Sequence, residues 1–433
     1  MRSNRVQAAA SGWVAKAVLL ALALSMVLAA CARPTPTPTP EPPTPVPATS
    51  TPVPSATNTV PAKPTAASSP TVAAKATAAP QATATPKPAP ASIKLKSPEY
   101  GMQAFLWYKP EVASRDVQVV KQAGFGWIKQ GVGWRDVEPA KGQFVWTQLD
   151  DIAKWIGEQQ LNLIARIDHQ PEWAGGGFPT NGPPANYEDF GDFCYALASR
   201  YKGRFRAYEI WNEPNLAREW GGRPPNPAEY AALLKVAYRR IKEADPNAIV
   251  VSAGLTPTGT NDATAMPDDV YLDRLYQAMG GSSAGYFDAL GAHAPGYKAP
   301  PEVSPAEAAS NPAYGGQRFF CFRRVEDLRA IMVKYGDADK QVYILEMGWT
   351  SDPVHPAYSW HAVTEQEKAD YLVRAYQYAK AHWAPWIGLM SLIYIADPFW
   401  TENDEQYWWA ITTPSYPNLN PRPAYNALKA MPK

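Results

Sequence analysis

The chain arranges apolar and polar positions in two regimes, and the change falls near residue 97. Beyond it, short apolar runs recur between longer stretches whose apolar residues return every three or four positions. The runs predict strands over 101–106, 126–129, 162–167 and 205–211, then over 249–253, 287–292, 341–345 and 388–395. The longer stretches predict helices. In the clearest, Pro227–Ala244, Asn226 stands at the cap, Pro227 at the first helical position, and Glu229 where a capping box is completed. Tyr230, Leu233, Leu234, Ala237 and Ile241 make its apolar face. Thr364 and Glu367 predict a second capping box ahead of Tyr371, Leu372, Ala375 and Tyr376. Val325, Leu328, Ile331 and Met332 mark a third helix, and 422–431 a closing one.

Eight strand–helix units in succession predict an α/β fold closed into a (β/α)8 TIM barrel rather than an open sheet. Three long inserts, 175–187, 256–269 and 296–320, each follow a strand. They therefore fall on the face where such barrels carry their sites.

Before residue 97 the chain has little to bury, with no aromatic residue between Trp13 and Tyr100. Its Pro, Thr, Ala and Ser, beginning "PTPTPTPEPPTPVP", predict a disordered stalk. Arg2 and Arg5 precede the apolar run 17–30, "AVLLALALSMVLAA", which is short for a membrane span and ends in small residues, as a secretory signal does. Leu28-Ala29-Ala30-Cys31 resembles the bacterial lipoprotein box, which implies a lipid on Cys31 and an extracytoplasmic protein anchored to a membrane at the cell surface. The expected organisation is a lipoprotein signal peptide over 1–30, a disordered linker over 31–96 and one barrel domain over 97–433, working as a monomer. A formal charge of +1 gives no reason to expect nucleic acid as a partner. The five His residues lack metal-ligand spacing, so neither metal nor cofactor is expected. Whether Cys194 and Cys321 pair is open.

In "EIWNEPN" (209–215), apolar Ile210 and Trp211 run into Asn212, Glu213 and Pro214. Proline has no N–H to give a sheet, so a strand ends here and Glu213 stands where the loop begins. A carboxylate in that place costs stability unless it is paired or used. The seventh strand repeats the theme in "VYILEMGWT", where Val342, Ile344 and Glu346 are expected on one strand face with Glu346 meeting the loop. The fourth and seventh strand ends of a closed barrel face each other across its mouth. Two carboxylates so placed are what cleavage of a glycosidic bond requires. The aromatic-rich composition, dense in Trp and Tyr after residue 100, suits the C–H faces of sugars.

"WNEPN" together with "ILEMGW" resembles clan A, the retaining glycoside hydrolases with a (β/α)8 barrel and glutamates on strands four and seven. "WRDVEPAKGQFVW" (134–146), "PEWA" (171–174) and "PRPAYNAL" near the end are similar to further segments of that clan, and the nearest likeness is to the family 39 xylosidases and to cellulase-like, family 5-type relatives. The resemblance implies Glu213 as general acid/base, Glu346 as nucleophile and Asn212 as the ligand of the sugar 2-hydroxyl. It places His293 and Tyr297 among the groups that hold substrate or nucleophile. Lys129 stands where the clan usually has Arg, and keeps the charge without the bidentate fork. The Trp expected at the end of strand eight is replaced by Tyr394 or, farther on, Trp400. Trp107, Trp134, Trp173 and above all Trp349 are the candidate stacking platforms. The expected function is hydrolysis of β-glycosidic bonds in oligo- or polysaccharides of xyloside or glucan type, with retention. The competing expectation is a catalytically impaired, carbohydrate-binding barrel lipoprotein.

Overall fold

The computed structural model describes residues 94–107, 109–175 and 181–433; the expected signal peptide, Cys31 and the linker as far as residue 93 lie outside them. Eight parallel strands close into a barrel in chain order. They are β1 (Glu99–Gln103), β2 (Trp127–Gly133), β3 (Asn162–Asp168), β4 (Ala207–Ile210), β5 (Ile249–Ser252), β6 (Ala289–Pro295), β7 (Gln341–Gly348) and β8 (Ile387–Leu392). Each is followed by a helix of the outer ring: α1 (Pro110–Gln122), α2 (Thr147–Glu158), α3 (Tyr187–Arg200), α4 (Pro227–Ala244), α5 (Asp268–Ala278), α6 (Val325–Lys334), α7 (Glu365–His382) and α8 (Pro423–Ala430). The TIM barrel expected from the alternation is the fold observed.

The caps explain where helices start. The Asn226 side chain accepts from the amides of Ala228 and Glu229 at 3.1 and 3.2 Å, which fixes the first turn of α4. Glu229 does not close a capping box as expected. Its carboxylate instead receives Trp220 Nε1 at 3.3 Å and the Arg223 guanidinium, because the loop after β4 folds back over the helix start. At α7 the box is complete: Thr364 and Glu367 satisfy each other's backbone amides.

Alternation along the strands separates two apolar layers. Trp127, Ile164, Ala207, Ile249, Val251, Ala289, Tyr343, Leu345 and Leu389 fill the barrel interior. Their neighbours along the strands, such as Ile128, Leu163, Tyr208, Val250, Leu290 and Ile344, pack outward against the helices. Leu95, two residues before the expected start of the domain, packs against the interior cluster. Gln341 holds its backbone on both sides, accepting from its amide at 2.8 Å and donating to its carbonyl at 3.0 Å.

One irregularity decides the site. Val342 and Ile344 face the helices and Tyr343 and Leu345 face the interior, so strict alternation would turn Glu346 outward. The register with β6 jumps from Ala292↔Ile344 to His293↔Glu346, leaving Leu345 as an extra residue. This bulge places Leu345 and Glu346 both inward. The expectation that Val342, Ile344 and Glu346 share a face is therefore wrong, and Glu346 reaches the mouth because the alternation breaks.

Cys194 and Cys321 are both free and buried. Among the described residues no helix is long and apolar enough to cross a membrane.

Candidate active site

The turn after β4 is under backbone constraint. Trp211 and Glu213, neither a glycine, hold φ of 74° and 38°. Such left-handed backbone costs on the order of 1–3 kcal/mol per residue and persists where surroundings over-determine it. Here they do. Trp211 donates its amide to Ile167 O at 2.9 Å and its indole N–H to Glu219 O at 2.7 Å, and the Glu213 amide donates to Gly254 O at 3.2 Å. Tyr230 of α4 donates to Ile210 O and accepts from the Ala253 amide, tying the end of β4 to β5. The result swings the Trp211 ring out to Phe190 and Trp220 and turns Glu213 into the mouth.

Glu213 meets Glu346 through His293. His293 Nδ1 lies 2.9 Å from Glu213 Oε1 and 3.8 Å from Glu346 Oε2, and an oxygen of each carboxylate lies within 4.8 Å of the other. The histidine is held close to the backbone of the loop after β5, where a Cβ on Gly254 would come within 2.2 Å of its ring. The three donors have the spacing of a small-cation site. Lys129 and Arg166 already crowd Glu346 with positive charge, however, so the donor set suits an acid pair better than a metal.

Lys129 and Arg166 come from the barrel interior. Lys129 Nζ lies 2.9 Å from Glu346 Oε1 and 3.3 Å from Glu209 Oε2, with its side chain 1% exposed. It is behind the carboxylate, not in front of it. The expectation of a substrate contact by Lys129 is corrected to a buried counter-charge. The register pairs Arg166 with Glu209 across β3 and β4 and with Gly131 across β2 and β3. Arg166 bonds Asp168 at 2.8 Å, donates to Asn212 Oδ1 at 3.2 Å and approaches Glu346 Oε1 at 3.5 Å. The guanidinium missing from strand two is thus supplied from strand three. Arg166 and Glu209 escaped the sequence reading, although charged residues at inward positions of β3 and β4 were a signal for them.

The two glutamates differ electrically. Burial opposes ionisation of Glu346, but Lys129, His293 and Arg166 together outweigh it and hold its pKa near 2. Burial and the charge of Glu346 also push the Glu213 pKa up. The hydrogen bond and charge of His293, with Arg218, prevail and leave it below the ordinary value. Glu346 thus acts on Glu213 in the upward direction, but His293 and Arg218 outweigh it and the net shift is downward.

A cavity of about 470 Å³ opens over the pair, within the range of small-molecule sites. Asn212, Glu213, His293, Tyr297 and Glu346 line it, together with Gln103, Arg218 and His361. Phe105, Tyr394 and Trp400 form an aromatic wall, with ring centroids 4.9–5.6 Å apart. Tyr297 donates to Pro257 O at 3.3 Å. His361 is pushed down to about 4 by burial and is therefore neutral. Trp349 does not line the cavity. Its ring is fully buried, donates to Ala299 O at 2.9 Å, and lies so close to Gly296 that a Cβ there would come within 1.9 Å. The expectation of Trp349 as a stacking platform fails because the loop after β6 seals it off. Trp107, Trp134 and Trp173 are also absent from the cavity wall; Trp134 is buried and bonded to Glu138, and Trp173 donates to the Glu138 carbonyl.

The family model for Cellulase, glycosyl hydrolase family 5, matches residues 89–278, a stretch that holds Lys129, Arg166, Asn212 and Glu213. Over those residues the chain is similar to the cellulase-like glycoside hydrolases. A beta-xylosidase of Geobacillus stearothermophilus is 33% identical over 72 residues, which are 15% of this chain and 14% of that curated relative. Among solved structures, the chain is similar to a family 39 glycoside hydrolase from the gut symbiont Bacteroides cellulosilyticus, with TM-score 0.54 and 20% identity over 79% of this chain and 65% of that one. A glucosidase from Croceicoccus marinus gives 0.55 at 12% identity, covering 78% and 68% of the two chains. A family 10 protein from Paenibacillus barcinonensis gives 0.50 at 16%, covering 78% and 96%. At these identities the structural likeness is one of fold. The resemblance to family 39 and cellulase-like hydrolases is borne out.

Proposed function

We propose that this protein is a retaining glycoside hydrolase acting on β-linked oligo- or polysaccharides of xyloside or glucan type, with Glu346 as nucleophile and Glu213 as general acid/base. The observation that carries the reading is the closeness of two carboxylates in unequal surroundings. One oxygen of each carboxylate lies within 4.8 Å of the other, which supports the short spacing of a retaining pair over the about 6.5–9.5 Å at which an inverting mechanism sets its carboxyl groups. The pKa of Glu346, near 2, keeps it ionised and ready to attack. Asn212, oriented by Arg166, offers its amide to the sugar 2-hydroxyl, and the wall of Phe105, Tyr394 and Trp400 offers a face for the ring. The Leu28–Cys31 box supports placing this hydrolase outside the cytoplasm, anchored to a membrane through lipidated Cys31.

A second reading, a binding barrel of impaired activity, draws on one observation: both oxygens of Glu213 are occupied, by His293 and Arg218. The test separates the two. NMR of the product first formed from aryl β-xylosides and β-glucosides should show retained configuration. Glu346→Ala should abolish turnover, whereas Glu213→Ala should still accept activated aryl glycosides and recover with azide. An inverted product, or equal behaviour of the two variants, would overturn the assignment. Oligosaccharide binding without turnover would establish the second reading.

A further inference from the structure

Arg218 lines the cavity and bonds Glu213 directly, and the acid/base role of Glu213 leaves that contact unexplained. It stands on the single 3-10 turn Ala217–Glu219 after β4, with its side chain 71% exposed. Its Nη2 donates to Glu213 Oε2 at 3.1 Å, while His293 holds Oε1 at 2.9 Å. An ionised carboxylate accepts only, and both its oxygens are engaged here. In this arrangement Glu213 is built as a base and not as an acid. Charged and titratable groups face it from every side: His293 from β6, Glu346 from β7, Glu219 beside Arg218, and Tyr297, Tyr358 and Tyr394 from the loops after β6, β7 and β8. His293 and Glu346 are fixed in the barrel by the register that pairs them. Arg218 is instead on a short surface turn that it shares with Glu219, and its ion pair with that neighbour is a longer contact of 3.8 Å.

We propose that Arg218 alternates with the leaving group at Glu213, binding the ionised carboxylate in the resting and glycosyl-enzyme states and giving way when the protonated form meets the glycosidic oxygen. This rests on the hydrolase reading above. In the first step a Glu346 oxygen bonds to the anomeric carbon and the bond from that carbon to the aglycone oxygen breaks. Its electron pair stays on that oxygen, which takes the proton from Glu213. The aglycone leaves as an alcohol, Glu213 is ionised, and Arg218 returns to it. In the second step Glu213 takes a proton from water, the water oxygen bonds to the anomeric carbon, and the ester bond breaks with its electron pair returning to Glu346. A carboxylate oxygen has two lone pairs, so Arg218 on one leaves the other for the water. Arg218 is a positioning residue for both steps, favouring the base and yielding to the acid.

The test uses the full-length protein with Arg218→Gln and Arg218→Lys, and the phenyl and 2,4-dinitrophenyl β-glycosides of xylose and glucose. With the phenyl glycosides, kcat/KM reports protonated Glu213, and its alkaline limb should move to higher pH in Arg218→Gln. With the dinitrophenyl glycosides, kcat reports ionised Glu213 in the second step, and its acid limb should move the same way. At a pH one unit below that shifted limb, only about one molecule in ten has its base ionised, so kcat should fall about tenfold. Arg218→Lys should restore both limbs in part. Limbs that stay in place while all rates drop together would reduce Arg218 to a structural contact and overturn the inference alone. No turnover of any of the four glycosides by the wild-type protein would overturn the hydrolase reading and this inference with it.

Discussion

Replacing Lys129 with Met should unsettle both the fold and the ionisation of Glu346. The ammonium lies 2.9 Å from Glu346 and 3.3 Å from Glu209, and neither Lys129 nor Glu209 has appreciable exposure. Among the cations that hold the Glu346 pKa near 2, against an ordinary 4.5, Lys129 contributes most. That gap corresponds to about 3 kcal/mol of preferential stabilisation of the ionised form. Because the folded pKa is the lower one, this stabilisation is fully present above pH 4.5 and is lost as pH falls toward 2. In Lys129→Met the window moves up, and the acid limb of kcat/KM should rise by about 1–2 pH units. Glu209 would also lose its partner while buried, so unfolding in urea at pH 7 should show a loss of about 3–5 kcal/mol. The double variant Lys129→Met, Glu209→Gln removes the stranded acid. It should recover more than half of that stability and leave the acid limb shifted. If the limb stays where it is in both variants, Lys129 does not govern the ionisation of Glu346. If the double variant is no more stable than the single, the buried Glu209 charge is not what the lysine serves.

Three further outcomes are expected. Trp400→Ala should raise KM for oligosaccharides roughly three- to tenfold, as loss of one stacking face would, with kcat for small aryl glycosides little changed. Gly296→Ala should destabilise the domain by about 1–3 kcal/mol through overpacking against Trp349, read as a lower urea midpoint with an unmoved pH profile. Asn226→Ala should cost about 1 kcal/mol in the same assay, by leaving the first amides of α4 without their acceptor.

Local chemistry made much of the architecture legible. The eight strands, the caps of α4 and α7 and the two strand-end glutamates depend on residues close in sequence: the alternation of apolar positions, Asn226 and Thr364 before their helices, Pro214 closing β4. These signals are short-range, and burial in the barrel reinforces each of them. The sequence pattern also carried the pairing of Glu213 with Glu346, because a closed eight-strand barrel sets its fourth and seventh strand ends opposite each other.

What surrounds the pair was decided only by tertiary contacts. Alternation alone points Glu346 at the helices, and a register shift between β6 and β7 turns it inward. Arg166, from the strand after the one that carries Lys129, takes the place of a guanidinium expected from β2 because the closed barrel brings it within 3.5 Å of Glu346. Trp349 follows Glu346 closely in sequence yet is lost to the cavity, since Gly296 lets the loop after β6 close over it. The electrostatics are likewise a sum over elements far apart in the chain. Lys129, Arg166, His293 and Arg218 come from four different strands or loops, and their combined field outweighs burial and holds both carboxylates below their ordinary pKa. Periodicity records which face of a strand is buried. It carries no record of distances between strands, and Coulomb energies depend on those distances.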